Sequence, residues 1–254
     1  MKGFDVNCLL GHWPFRKIRK NTFEDLRSVH AENDISTGLV SSLNSIFYND
    51  PFEGDSELFN IIKSSGYKQI LTVNPLLPGY ENDIKEGMKL FDIIGVRVYP
   101  GYHGYDLTDR HFKELCDILA AYDLPIFLTI RLEDERLEYI IEHRSAKLEM
   151  LAGFLSDHTK LTTILLTIRN EELIHIKDIL CSSPNIYYDT SGLKNQLFAI
   201  EKITDALGAK NLLYGSLHPL FCLKSTQLLV SKAEISPRAK KDIFYENARG
   251  LFGL

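Results

Sequence analysis

Eight short runs rich in β-branched and aromatic residues, each followed by a stretch with helical periodicity, restrict the fold of this chain more than any other feature. The runs are Phe4 to Leu10, Thr37 to Ser42, Gln69 to Val73, Ile93 to Tyr99, Pro125 to Ile130, Thr162 to Thr167, Asn185 to Asp189 and Asn211 to Gly215. Helix-start signals lie between them. Thr22-Phe-Glu-Asp25 reads as a capping box, and Thr108 stands ahead of Phe112, Leu115, Cys116 and Leu119 at helical spacing. Ser145 before Leu148, Leu151 and Leu155, and Ser236-Pro237 before the last helix, repeat the pattern. Strict alternation of this kind requires parallel strands joined by crossover helices. Eight such units in 254 residues predict an α/β fold, a (β/α)8 TIM barrel forming a single domain over 1–254. An open doubly wound sheet has fewer strands and a glycine-rich first turn, and no Gly-x-Gly-x-x-Gly occurs here.

Composition removes several classes of function. A net charge of −5 with mixed signs throughout offers no basic stripe, so no nucleic-acid partner is expected. No apolar stretch has the length of a membrane span and the first strand run begins almost at Met1, so no membrane partner and a cytoplasmic location are expected. Cys8, Cys116, Cys181 and Cys222 lack a Cys-x-x-Cys pair, and their apolar surroundings predict buried free thiols. No Walker motif, Gly-x-Ser-x-Gly elbow or His-Glu-x-x-His helix is present. A homo-oligomer stays open.

A barrel places its active site at the carboxyl ends of the strands, so the residues that close each strand are the informative ones. FDVNCLLGHWPFRKI resembles the first strand of the amidohydrolase-related (amidohydrolase 2) family, in which an Asp, one residue and then His-x-His are common. Aligned on Asp5, Leu10 and Gly11, the two histidines fall on Asn7 and Leu9. IIGVRVYPGYHGYDLTD resembles the family's fourth strand and loop, and LPIFLTI its fifth, with Thr129 in the histidine position. LTTILLTIRN is similar to the sixth, with Thr167 where a histidine is usual, and NIYYDTSGL to the seventh. NLLYGSLHPL resembles the eighth-strand Gly-Ser-Asp-x-Pro, with Leu217 in the Asp position, and FYENARGLFGL the closing helix. The resemblance runs from about residue 4 to the C-terminus. It implies a metal-dependent hydrolase or decarboxylase ancestry and places the ligand positions on Asn7, Leu9, Thr129, Thr167 and Leu217. Leucine has no lone pair, and three neutral oxygen donors do not balance a dication, so neither a metal nor another cofactor is expected there.

Positive charge is the expected replacement. Side chains alternate along a strand, so Arg97 shares a facing with Tyr99, Arg131 with Thr129, and Arg169 with Thr167. Three guanidinium groups on adjoining strands at the rim of one mouth suit a small anion, a carboxylate or a phosphate. Arg131 equally suits pairing with Glu133, Asp134 or Glu135.

The fourth loop, Tyr99-Pro100-Gly101-Tyr102-His103-Gly104-Tyr105, presents His103 as an acid/base candidate, with packing as the blander use. His218 ahead of Pro219 is a second candidate, and His12 on the first loop a ligand contact. Asp189 is the only carboxylate immediately at a strand terminus, which makes it either a general base or a cap of the next turn. His30, His111, His143, His158 and His175 fall on helices away from the mouth and are expected to be structural or solvated. Trp13-Pro14-Phe15 reads as rim packing, with Arg16 a further anion contact. Two functions follow: a barrel without its metal that binds a small anionic molecule, or a metal-independent acid/base enzyme, lactonase-like, acting on a small carboxylate.

Overall fold

Both faces of the strands are apolar over most of their length, as a parallel sheet sheathed by helices requires. The computed structural model describes residues 3–133 and 147–253. Its strands are β1 (Gly3–Leu10), β2 (Ile35–Ser42), β3 (Lys68–Thr72), β4 (Gly95–Val98), β5 (Ile126–Thr129), β6 (Thr163–Leu166), β7 (Ile186–Asp189) and β8 (Leu212–Leu213). They pair in chain order, every pair parallel. The segment after β8 returns to β1 through Leu9 N to His218 O and Leu217 N to Asn7 O, each 2.8 Å, which joins the two ends of the sheet. This is a (β/α)8 TIM barrel.

The capping box at Thr22 is formed and opens α1 (Phe23–Glu32), and Ser236 caps Pro237–Lys241. The helix Arg110–Ala121 is capped by Asp109 rather than Thr108. Ser145, His143, Asp134, Glu135 and Met1 lie outside the described residues. The last strand is shorter than the sequence pattern predicts: Tyr214 N bonds to Ile243 O outside the sheet, while Tyr214 O still accepts from Val6 N of β1. The loop between β1 and α1 carries Trp13, α2 (Asn44–Phe47) follows β2, and α3 (Pro51–Ile62) covers β2 and β3.

The core forms two shells. Outward-facing residues such as Leu71, Val96, Val98, Leu128, Leu165 and Tyr188 pack under the helices. Phe4, Val6, Leu39, Ile70, Phe127, Ile164, Leu166 and Leu213 fill the barrel itself. In β1 the register with β2 slips between Asp5 and Cys8. This bulge lets Val6, Asn7 and Leu9 all face inward while Asp5 and Cys8 both face α1. Of the four thiols expected to be buried, Cys8 and Cys116 are, whereas Cys181 and Cys222 are exposed at helix ends. Among the described residues no helix is long and apolar enough to cross a membrane.

Candidate functional site

Above the apolar filling of the barrel the inward positions turn polar. Arg97 on β4 is fully buried, lying below the rim where the sequence pattern would put it. Its Nε donates to Thr129 Oγ1 at 2.9 Å and its Nη1 to Ser41 Oγ at 3.4 Å, and its Nη2 has no partner. The guanidinium carbon lies 5.1 Å from the Tyr99 ring centre. No carboxylate is salt-bridged to Arg97 among the described residues. Burial pulls its pKa down, and the nearby Tyr99 and Asp189 oppose this. Tyr99 Oη, Thr72 Oγ1 and Asn7 Oδ1 are likewise buried without a hydrogen bond.

Asp189 occupies the opposite side of this polar layer. Its Oδ2 accepts from Asn7 Nδ2 at 2.8 Å, and its Oδ1 from Thr167 N at 2.8 Å and Ser191 Oγ at 3.0 Å. The carboxylate therefore ties β1, β6 and β7 together instead of capping the turn that follows it. Burial pushes its pKa up, against the lowering effect of those hydrogen bonds. Gly215 permits this approach, since a Cβ there would stand 2.3 Å from Asp189 Oδ2.

Over the polar layer sits an apolar plug of Leu9, Trp13, Leu43, Ile46, Tyr99, Leu132, Leu217 and Leu220. Trp13 meets Phe15, Phe47 and Tyr102 edge to face with centroids 5.2, 5.5 and 5.8 Å away. Beside the plug, a cleft of about 30 Å³ is lined by Arg131, Glu133, Thr167, Arg169, Gly192, Lys194, Asn195 and Phe221. Arg131 makes a bidentate pair with Glu172, Nη1 to Oε2 at 2.9 Å and Nη2 to Oε1 at 2.6 Å, so one acid partner comes from the next helix, while Asp134 and Glu135 lie outside the described residues. Glu133 instead receives Arg16 Nε at 2.8 Å. Thr167 has φ of +59°, so the chain leaves the extended conformation before Arg169 and strand alternation no longer decides where Arg169 points. Leu217, another of the five aligned positions, is left-handed too, with φ of +54°.

The three histidine candidates do not converge on this layer. His12 is exposed. His218 Nε2 bonds to Lys20 O at 2.9 Å, on the loop ahead of α1. His103 Nε2 bonds to Ile46 O at 3.2 Å, and its Nδ1 is buried without a partner. Burial lowers the His103 pKa to about 4, so the ring is neutral at neutral pH. Sequence reasoning did not single out Ser41, Thr72 or Lys194. Ser41 and Thr72 close β2 and β3 in the way Arg97 and Thr129 close their strands, and that shared position is the signal that could have found them.

No protein-family model matches the sequence, and no curated protein matches it. Solved structures do. An uncharacterised TIM-barrel protein from Bordetella bronchiseptica superposes with a TM-score of 0.78 at 15% identity, covering 100% of this chain and 99% of that one. A 2,6-dihydroxybenzoate decarboxylase from Rhizobium gives 0.73 at 12% identity, covering 100% and 99%. A 5-carboxyvanillate decarboxylase from Novosphingobium aromaticivorans, complexed with manganese and 4-hydroxy-3-methoxy-5-nitrobenzoic acid, gives 0.70 at 16%, covering 89% and 79%. At such identities the likeness is one of fold, and the fold is the barrel that amidohydrolase-like hydrolases and decarboxylases use.

Proposed function

We propose that this chain is a divergent amidohydrolase-like barrel in which the inherited metal position is degenerate and the mouth binds a small anion, a carboxylate or a phosphate. The donor set does not fit a divalent ion. Leu9 and Leu217 belong to the apolar plug, and Asn7, Thr129 and Thr167 offer only neutral oxygens. The observation that carries the anion reading is Arg97. A cation buried without a carboxylate partner, with one nitrogen unbonded, is costly unless a ligand completes it. The decarboxylase with a bound nitrobenzoic acid supports the reading from outside, since its ligand is a small aromatic carboxylate on the same fold.

The alternative, metal-independent acid/base chemistry, has less support. Asp189 has both oxygens engaged, and His103 as a base is weak, with its pKa near about 4.

A thermal-shift screen of mono- and dicarboxylates, sugar acids and phosphate esters at moderate salt tests the anion reading, repeated on Arg97→Met. A true ligand at about 100 times its Kd stabilises by about 2.7 kcal/mol. That shift should vanish in Arg97→Met, while the unliganded variant stays within about 1 kcal/mol of the parent because an uncompensated buried charge has been removed. Stabilisation undiminished by the substitution would refute the assignment.

A further inference from the structure

We propose that Asp5, Cys8 and His30 form a buried site for a zinc-class divalent cation on the outer face of β1, outside the barrel and independent of its mouth. All three residues are within 1% of complete burial. Their ligand atoms lie within 4.8 Å of one another, with His30 Nε2 3.7 Å from Cys8 Sγ and 3.4 Å from Asp5 Oδ2. A tetrahedral ion bound at about 2.3 Å to sulfur and about 2.0 Å to nitrogen and oxygen holds its ligands about 3.3 to 3.6 Å apart. The two measured separations therefore need little adjustment.

Orientation agrees with spacing. Tyr67 Oη holds His30 Nδ1 at 2.8 Å, which turns Nε2 toward the other two groups, as an outer hydrogen bond does for a ligating imidazole. Asp5 Oδ1 accepts from Asn7 N and Ser216 N, each at 3.0 Å, and so fixes the carboxylate. Its Oδ2 is buried, faces the cluster and has no hydrogen bond. A carboxylate oxygen 3.4 Å from His30 Nε2 yet without a hydrogen bond is the observation that a plain apolar contact between β1 and α1 does not explain.

Charge supplies a further reason. A thiolate, a carboxylate and a neutral imidazole carry two negative charges, which neutralise a divalent ion in a site with no water to screen it. Thiolate and imidazole donors together select zinc over harder cations. Binding forms metal–sulfur, metal–nitrogen and metal–oxygen bonds, and releases the thiol proton to solvent together with any proton on Nε2. The described residues offer three ligands. The shell is Leu10, Phe23, Leu26, Val40, Leu58 and Ile62, so the ion enters during folding.

The full chain, expressed in minimal medium containing Zn2+ or, as a spectroscopic probe, Co2+, tests the proposal. After exhaustive dialysis the protein should retain about one equivalent of metal, and the cobalt form should show a thiolate-to-cobalt charge-transfer absorption. Cys8→Ser and His30→Asn should each fall below about a tenth of an equivalent, and Tyr67→Phe should keep the site with about 10- to 100-fold weaker affinity. The double variant Cys181→Ser with Cys222→Ser should keep both metal and absorption. If Cys8→Ser does not accumulate, the cobalt spectrum of the double variant decides, its presence supporting the site and its absence overturning it. Less than about a tenth of an equivalent in the parent from both media overturns the proposal. So does metal that survives Cys8→Ser, or that is lost on changing His12 or His218 instead; the anion screen is unaffected by either result.

Discussion

On its barrel side strand β1 presents Asn7 and Leu9, and on its helix side Asp5 and Cys8. The inward pair lies where the resemblance assigns metal-binding histidines, yet one side chain is a hydrogen-bond donor to Asp189 and the other part of an apolar plug. The outward pair meets an imidazole from α1 that Tyr67 in turn holds, in a cluster no sequence motif announces. Donor chemistry is thus concentrated on the face of the strand where a barrel enzyme does not need it, and depleted where it does. Ancestry inferred from aligned positions and chemistry read from actual neighbours can point to opposite sides of one strand.

Breaking the outer cluster should have the larger effect on stability. His30→Ala strips the Asp5 carboxylate of its ion-pair partner 3.4 Å away and should cost about 3 to 5 kcal/mol in urea unfolding. A loss under about 1 kcal/mol would reduce the cluster to the rank of a surface pair and erase the contrast between the two faces.

The inner face should respond less per residue. Leu9→His and Leu217→Asp each place a polar group among apolar neighbours and should cost about 1 to 3 kcal/mol, and the double variant should gain neither hydrolase activity nor metal at the mouth. An unchanged melting temperature with new metal binding would mean that ligand geometry had persisted beneath the leucines.

The third effect is a slope rather than a single loss, and it concerns pH. Burial lowers the pKa of His103 and His218, so each is neutral in the folded chain. Their contribution is complete above the ordinary histidine value and is lost as pH falls toward the folded one, which for His103 is about 4. The raised pKa of Asp189 acts in the opposite sense, since protonation on acidification relieves its burial. The difference between parent and His103→Gln isolates one imidazole. Its slope between the two values should approach about 1.4 kcal/mol per pH unit. Parallel curves for the two proteins would place His103 in solvent contact.

What the sequence made legible was what depends on near neighbours. Strand and helix alternation predicts the barrel, and Thr22 with Asp25 or Ser236 with Pro237 marks helix starts, because each signal spans a few residues. The depth of Arg97 was not legible, since strand alternation gives a facing but not a height along the barrel axis. One partner of Arg131 is Glu172, 41 residues on and across a crossover. His30 had a readable clue: it stands four residues after Leu26 and seven after Phe23, on the buried face of α1. Its contact with Asp5 and Cys8 had none, because the bulge in β1 brings to one side two residues that simple alternation assigns to opposite sides.

Were a small anion to bind at Arg97 as proposed, the plug over it would govern time rather than affinity. A solute bound for that guanidinium has to wait for Leu9, Trp13, Leu217 and Leu220 to part, so its arrival rate should level off with concentration at the rate of opening. The same gate would hold such a molecule in. Residence would then be set by how often the cap loosens, and variants that trim Leu220 at its edge should speed entry and escape together while leaving the equilibrium nearly untouched.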